Sequence, residues 1–367
     1  MARYVGVGDV DHLVRGAAVL GSGGGGDGYV PRQMLLAAIE RYGPVPLVDA
    51  AEMDADAPVL PVIGAGAPAT LVEMFPGDAE SERLRELVET AAGRPCEAVL
   101  PLQPGPVNAA LPLVVAAQLG LPCLDADAMC RVFPMVEMTL FTLAGISPAP
   151  LFAVDAKDAR VMLSAPDHRT VSALLRSCLP ELSLVALIST YQVTAGQCAR
   201  YAANGGLSRC LRIGRALTES LTESLTGSLA EPLAGLSAES LAEFGGVPLV
   251  RGVVAELVQR SDPTGTDGFP RGVLSVQSLD DPSRVLRVDF QNENLVAAED
   301  GVVRVTVPDL INVIDTDTGA VMQTVDLVVG QRVHVVAMPA DPRWHTDDGI
   351  ALAGPRAFGY DIEPVRV

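Results

Sequence analysis

The hydrophobic pattern of this chain changes character near Gly246, and that change constrains the fold more than any other feature of its 367 residues. Up to about residue 130, short apolar runs alternate with helical periods. "VPLVDAAEM" and "APVLPVIGAGAP" read as strands, "DAESERLRELVETAAGR" as an amphipathic helix and "CEAVLPLQPG" as a strand. "VNAALPLVVAAQLGL" then reads as a helix and "PCLDADAM" as a strand ending in acids. Such alternation predicts an α/β domain with a largely parallel sheet. After Gly246 come the Val-rich runs "VPLVRGVVAELVQR", "GFPRGVLSVQSL", "RVLRVDFQNENLVAAEDGVVRVTVPDLINVID" and "QRVHVVAMPA", broken by "DPTGTDG", "DDPS", "AEDG" and "DTDTGA". Closely spaced strands with such turns predict an all-β module, a small barrel or sandwich. The expected organisation is therefore α/β plus all-β in a two-domain chain. Residues 1–165 form the α/β domain, 166–245 a mixed helical segment, and 246–367 the β module with its tail. "LFAVDAKDARVMLS" adds a hairpin to the first domain. Sheets of the α/β kind bind ligands beyond the carboxyl ends of their strands. Gly64–Pro68, Gln103–Asn108 and Asp125–Asp127 would lie at such ends.

Composition decides what fills these cores and what the surface repels. The chain is 49% hydrophobic but only 4% aromatic, so Val, Leu and Ala must do the packing. No unbroken apolar run approaches the roughly 20 residues of a membrane helix. The N-terminal "VGVGDVDHLVRGAAVLG" lacks a basic start and carries Asp9 and Asp11, which argues against a signal peptide and for a cytoplasmic protein. With 26 cations against 45 anions, a net charge of −19 disfavours nucleic acid and anionic membranes as partners. A small-molecule substrate is the expected partner. The six cysteines, none spaced as C-x-x-C, read as reduced core thiols. Residues 217–244, "LTESLTESLTGSLAEPLAGLSAESLAEF", repeat leucine every fourth position before Pro232 interrupts. They read as an expanded helical loop and a candidate contact in a homo-oligomer.

The stretch "LGSGGGGDGY" lies between two predicted helices, "DVDHLVRGAAVLG" and "GYVPRQMLLAAIERYG". A nucleotide fingerprint would follow a strand, and the only lysine, Lys157, is elsewhere, so no nucleotide cofactor is expected. What remains is bare backbone at Gly23, Gly24, Gly25 and Gly26, with Ser22 and Asp27 at its margins. It serves either as one wall of a small-ligand site or as a packing turn. Asp125 and Asp127, two apart on a strand, would point to one side. Paired carboxylates repel unless a cation, a proton or a basic substrate separates them, which suits Zn, Mn or Mg; the competing reading is that one caps the next helix. Glu137 is a candidate base or third ligand, or a surface charge. Asn108 is either a carbonyl-orienting residue or an N-cap. His345, beside the only tryptophan, Trp344, is the candidate histidine ligand if zinc binds with the two aspartates. Arg356 either clamps a substrate carboxylate or ion-pairs within the tail. Gln291, Asn292, Glu293 and Asn294 are unusually polar for a β module and read as a hydrogen-bond network or part of the site. No G-x-S-x-G elbow occurs.

"LGSGGGGDGY", "GLPCLDADAMCRVFPMVEMT", "DFQNENL", "VPDLI" and "GPRAFGYD" together resemble the S-methyl thiohydantoin desulfurase family nearly end to end. The resemblance implies an N-terminal α/β domain, a C-terminal part with a β module, and hydrolysis or desulfuration of a small cyclic amide, imide or thiohydantoin, with a divalent metal. On that basis Asp125, Asp127 and Glu137 would be catalytic, Asp125, Asp127 and His345 metal ligands, and Ser22, Gly23–Gly26, Asp27, Asn108 and Arg356 substrate-binding. There are departures. Gln103 stands where the pattern has an acid, Pro104, Pro106 and Val107 interrupt its glycines, Met135 replaces a glutamate, and Cys130 is gained. They leave open a family member that binds a small metabolite without turning it over.

Overall fold

The computed structural model describes residues 3–66, 77–226, 240–260 and 271–367. Ala67 and Pro68, residues 227–239 of the leucine repeat, and the "DPTGTDG" turn lie outside the described residues. The chain folds into two compact units. The first comprises residues 1–14, 26–130 and 135–209, and the second residues 15–25, 131–134 and 210–367.

The first unit is built on an eight-stranded sheet. Its strands are β1 (Arg3–Val5), β2 (Val45–Val48), β3 (Val59–Gly66), β4 (Ala98–Pro101), β5 (Cys123–Leu124), β7 (Leu151–Val154), β8 (Arg160–Leu163) and β9 (Val185–Ser189), in the order β1-β2-β5-β4-β3-β9-β7-β8, while β6 (Ala126–Asp127) and β10 (Ala203–Asn204) pair antiparallel by themselves. Only the centre, β2-β5-β4-β3, is parallel; β1 pairs antiparallel at one edge, and β9, β7 and β8 continue antiparallel at the other. The largely parallel sheet expected from the sequence is thus half parallel. The parallel strands come from the strand–helix alternation before residue 130, and the rest from the N-terminal strand β1, the hairpin and its neighbour β9. β3 and β4 are near-continuous apolar runs, as strands covered on both faces must be. The helix Pro106–Leu119 is buried through Ala116. Pro106 starts it and Gly120, in the left-handed conformation, stops it. The helix Asp78–Ala92 opens with Glu80 accepting from the Gly77 N–H (3.0 Å) and closes at left-handed Gly93.

The second unit is one antiparallel seven-stranded sheet that curls, as the all-β reading requires. Its strands are β11 (Val247–Arg260), β12 (Arg271–Ser278), β13 (Val285–Gln291), β14 (Glu293–Glu299), β15 (Val302–Thr306), β16 (Leu310–Asp315) and β17 (Arg332–Met338), in the order β15-β14-β13-β12-β11-β17-β16. β13 alternates buried and open positions, so alternate side chains Leu286 and Val288 enter a core with Val254, Leu274, Val313 and Val335. Each such side chain removed from water contributes about 1.5–3 kcal/mol. Curling brings β14 to β16, where Val307 N–H donates to Leu295 O (2.7 Å).

The long helix Gly206–Thr226 lies backbone-to-backbone with the helix Val10–Gly21. A Cβ built on Gly16 would stand 1.8 Å from the Cys210 carbonyl oxygen. Gly16→Ala should therefore destabilise by about 3 kcal/mol in denaturant melts, because neither backbone can yield cheaply. Gly8→Ala, with no atom within 4 Å of the added carbon, should stay within about 0.5 kcal/mol of the parent. Equal effects would show that the helices do not meet there.

Candidate functional site at the glycine loop

The helix Val10–Gly21 ends in a loop that the second unit holds by its backbone. Ser22 is fully buried at a φ of 51°, and Gly23 and Gly25 also have positive φ. The Ser22 hydroxyl donates to Ile311 O (3.1 Å) and accepts from Ile311 N–H (2.9 Å). Asn294 N–H donates to Ser22 O (2.7 Å), and Thr324 N–H to Gly23 O (2.9 Å). The loop is thereby pinned to β14 and β16, which sets Gly24, whose N–H donates to Gly21 O (3.0 Å), against the start of β14.

At that start stands Glu293, fully buried. β13 reverses into β14 through Asn292 alone, at a φ of 62°. The Asn292 side-chain amide donates to Glu293 Oε1 (2.6 Å), and Glu293 Oε2 has no partner. The carboxyl lies against Gly24, where a Cβ would stand 2.4 Å from Oε1, so a side chain there would have to displace it. Burial pushes the Glu293 carboxyl up from 4.5 to about 7, against the opposing pull of the Asn292 amide and the charge of Arg131.

Arg131 is also fully buried. Its Nε donates to Val132 O (3.0 Å), and one terminal nitrogen to Pro308 O (2.7 Å) and Asp309 O (2.8 Å). The guanidinium lies over the Phe133 ring, which meets the buried Trp344 edge-on at 4.7 Å. Burial lowers it to about 10, resisted by the charges of Glu293 and Asp309, so it remains a cation at neutral pH. Its second terminal nitrogen has no partner, nor has Asn294 Oδ1. A fixed cation with an unshared N–H and a carboxyl that titrates near neutrality are what proton transfer beside a developing anion needs.

The residues singled out from the sequence divide between the two units. Ser22, Gly23, Gly24 and Gly25 join Glu293 and Asn294 in the second. So does His345, whose Nε2 lies 2.8 Å from the buried carboxylate of Asp309; its buried Nδ1 has no partner. Arg356 is an exposed residue paired with Asp361 (3.3 Å) and Glu363 (2.7 Å), the tail ion pair rather than a clamp. In the first unit, Gly26 packs on Val107, and exposed Asp27 accepts from Tyr29 N–H (2.9 Å) at a helix start. Asn108 is the third residue of its helix, whose N-cap is Gly105. It is no cap; it accepts from Gly64 N–H (2.8 Å) and donates to Gly64 O (3.2 Å) and to Gln103 Oε1 (2.9 Å), tying the loop after β4 to β3. Glu137 is buried beside Tyr191, whose own hydroxyl is taken up by Thr142 (2.6 Å) and Val136 O (3.2 Å); Glu137 Oε2 has no partner.

The aspartate pair does not fit a metal. Asp125 accepts from Ser208 N–H (2.8 Å) and the Ser208 hydroxyl and is ion-paired with Arg3 (3.3 Å). Asp127 Oδ1 accepts from Met129 N–H (2.7 Å) and Cys130 N–H (2.5 Å), shaping the turn that leads to Arg131. Among the described residues, no three His, Cys, Asp or Glu side chains are grouped to hold a metal ion. We therefore derive no step through one.

Arg131 and the acidic role of Glu293 escaped the sequence reading. Glu293 sat inside a segment flagged only as polar, and Arg131 is a single cation in an apolar run, "AMCRVFP", with no spacing to mark it.

Fold and site together define a two-domain protein, α/β joined to a curled antiparallel sheet, with a buried acid–cation pair at a glycine loop. The chain belongs to the S-Me-THD-like family, that of the S-methyl thiohydantoin desulfurases: the N-terminal domain model matches residues 8–165 and the C-terminal domain model residues 166–367. A crystal structure of a protein from Chromobacterium violaceum shares the fold, at 24% identity over 100% of both chains and a TM-score of 0.80. No curated protein matches the chain. Among the described residues, no helix is long and apolar enough to cross a membrane.

The raised Glu293 carboxyl has a stability signature. Folded protein keeps a proton that the unfolded chain has released, so between about pH 4.5 and 7 stability falls as pH rises. The full cost, about 3 kcal/mol, is present above pH 7 and absent below about pH 4.5. Glu293→Gln should therefore be the more stable protein by about 3 kcal/mol near pH 8 and equal to the parent near pH 4.5. A variant equally stable at both pH values would contradict the burial of a proton-holding carboxyl.

Proposed function

We propose that this chain acts on a small five-membered cyclic amide of the S-methyl thiohydantoin type, and that Glu293 is its proton-transfer group. The observation that carries the reading is the Glu293 carboxyl, half ionised near neutral pH, set against the bare backbone of Gly24 with one oxygen unshared. Family membership supplies the substrate class. As carboxylate, Glu293 takes a proton from water as the water oxygen bonds to the sulfur-bearing ring carbon. The adduct then collapses: its hydroxyl proton passes to the ring nitrogen as the carbonyl forms, the C–S bond breaks, and methanethiolate leaves with the proton Glu293 returns. The ring is left as the oxygen analogue. The unshared N–H of Arg131 holds the negative charge that develops on the ring. Ring opening of a cyclic amide or imide would use the same groups, with water attacking a carbonyl carbon. Asp125 and Asp127 then serve the framework: one anchors Ser208 and Arg3, the other the turn before Arg131.

Methanethiol release from an S-methyl thiohydantoin, followed with a thiol reagent, tests this. The rate should climb through about pH 7 and level off above it, because the ionised form is the base. Glu293→Gln should lose about 100-fold or more in kcat while still binding the ring, and Asp127→Asn, which keeps its acceptor, should stay within about threefold of the parent. Full turnover by Glu293→Gln overturns the assignment. Binding without turnover by the parent protein favours the non-catalytic reading that the Gln103 departure raises.

A further inference from the structure

On the sheet of the second unit, a cleft of about 280 Å³ is lined by Pro248, Leu249, Val250, Arg251, Ser278, Asp280, Arg284 and His334. It lies among β11, the β12–β13 hairpin and β17, and shares no residue with the glycine-loop site. A bulge between Pro248 and Val250 breaks the β11–β17 register beside it, the kind of irregularity that re-aims side chains next to functional sites. Arg251 is paired across the strands with His334, so both side chains leave the same face.

The polar groups of this cleft are mostly donors. Arg251 gives one nitrogen to Asp280 (3.0 Å), and Arg284 gives two to Glu299. The Ser278 oxygen accepts from the Asp280 and Asp281 N–H groups (3.2 Å each), which leaves its proton for an acceptor. His334, buried in the inner wall, has an Nε2 without a partner. Burial and the charge of Arg251 lower its basicity, so it is neutral at pH 7 and can present Nε2–H. Pro248, exposed, and Leu249, partly packed on the core, supply a small apolar edge. The one acid of the lining, Asp280, is engaged by Arg251.

We propose that this cleft is a binding site for a small monocarboxylate with a short apolar chain. The carboxylate accepts from Arg251, Arg284 and Ser278, and the chain covers Pro248 and the open edge of Leu249. Two half-exposed arginines beside a neutral imidazole select for the anion, since a charge-assisted hydrogen bond is about twice as strong as a neutral one.

Isovalerate is a suitable probe, with isovaleramide as its neutral isostere. Titration of the whole protein, followed on the histidine ring resonances, should show saturable binding that shifts His334 and leaves His345 in place. Isovalerate should bind about tenfold or more tightly than isovaleramide, and Arg251→Gln/Arg284→Gln, checked as folded by circular dichroism, should lose about tenfold in affinity. Equal binding of acid and amide overturns the proposal. So does undiminished affinity in the double variant, or a response at His345 without one at His334.

Discussion

Everything specific about the glycine loop rests on one side chain, the Ser22 hydroxyl, which bridges the amide and the carbonyl of Ile311, 289 residues away. Ser22 holds a positive φ that a serine rarely adopts, and does so because both lone pair and proton are used in a fully buried position. Each such bond is worth about 1 kcal/mol net, but losing a partner strands the other group at about 1–3 kcal/mol. That asymmetry fixes the loop in a single place, and that place sets Gly24 against Glu293.

Burying Glu293 and Arg131 in one unit would be expensive if both had to stay charged. The burial is divided unequally. Arg131 starts from so high a basicity that falling to about 10 leaves it charged, and three backbone carbonyls with the Phe133 face replace its water. Glu293 starts low and rises to about 7, so it gives up its charge for part of the neutral range. The result is a permanent cation beside a group that exchanges protons at working pH, stored at the expense of stability.

Much of this architecture was legible from the residues. The α/β pattern before residue 130 and the Val-rich runs after Gly246 each produced the expected layer, because apolar period and turn residues act locally. The edge strands β9, β7 and β8 were not placed, since their antiparallel pairing depends on which sheet edge is free and not on their own sequences. For the site, "LGSGGGGDGY" and "DFQNENL" were both visible as anomalies: five glycines in six positions and four polar residues inside a β module. That they meet was not visible, because the contact joins segments about 270 residues apart through Gly24 and Glu293. Asp125 and Asp127 drew attention by spacing, yet Asp125 is engaged by Ser208 and Arg3 and Asp127 Oδ1 by the turn amides, partners that spacing alone cannot reveal.

Glu293 holds its proton to neutrality against the glycine loop. This is tested most directly by carboxyl carbon NMR of protein labelled at its glutamates, titrated from pH 3 to 9 and compared with Glu293→Gln. One glutamate carboxyl should titrate near 7 and vanish in the variant. A wild-type spectrum in which every glutamate has ionised by about pH 5 would contradict it.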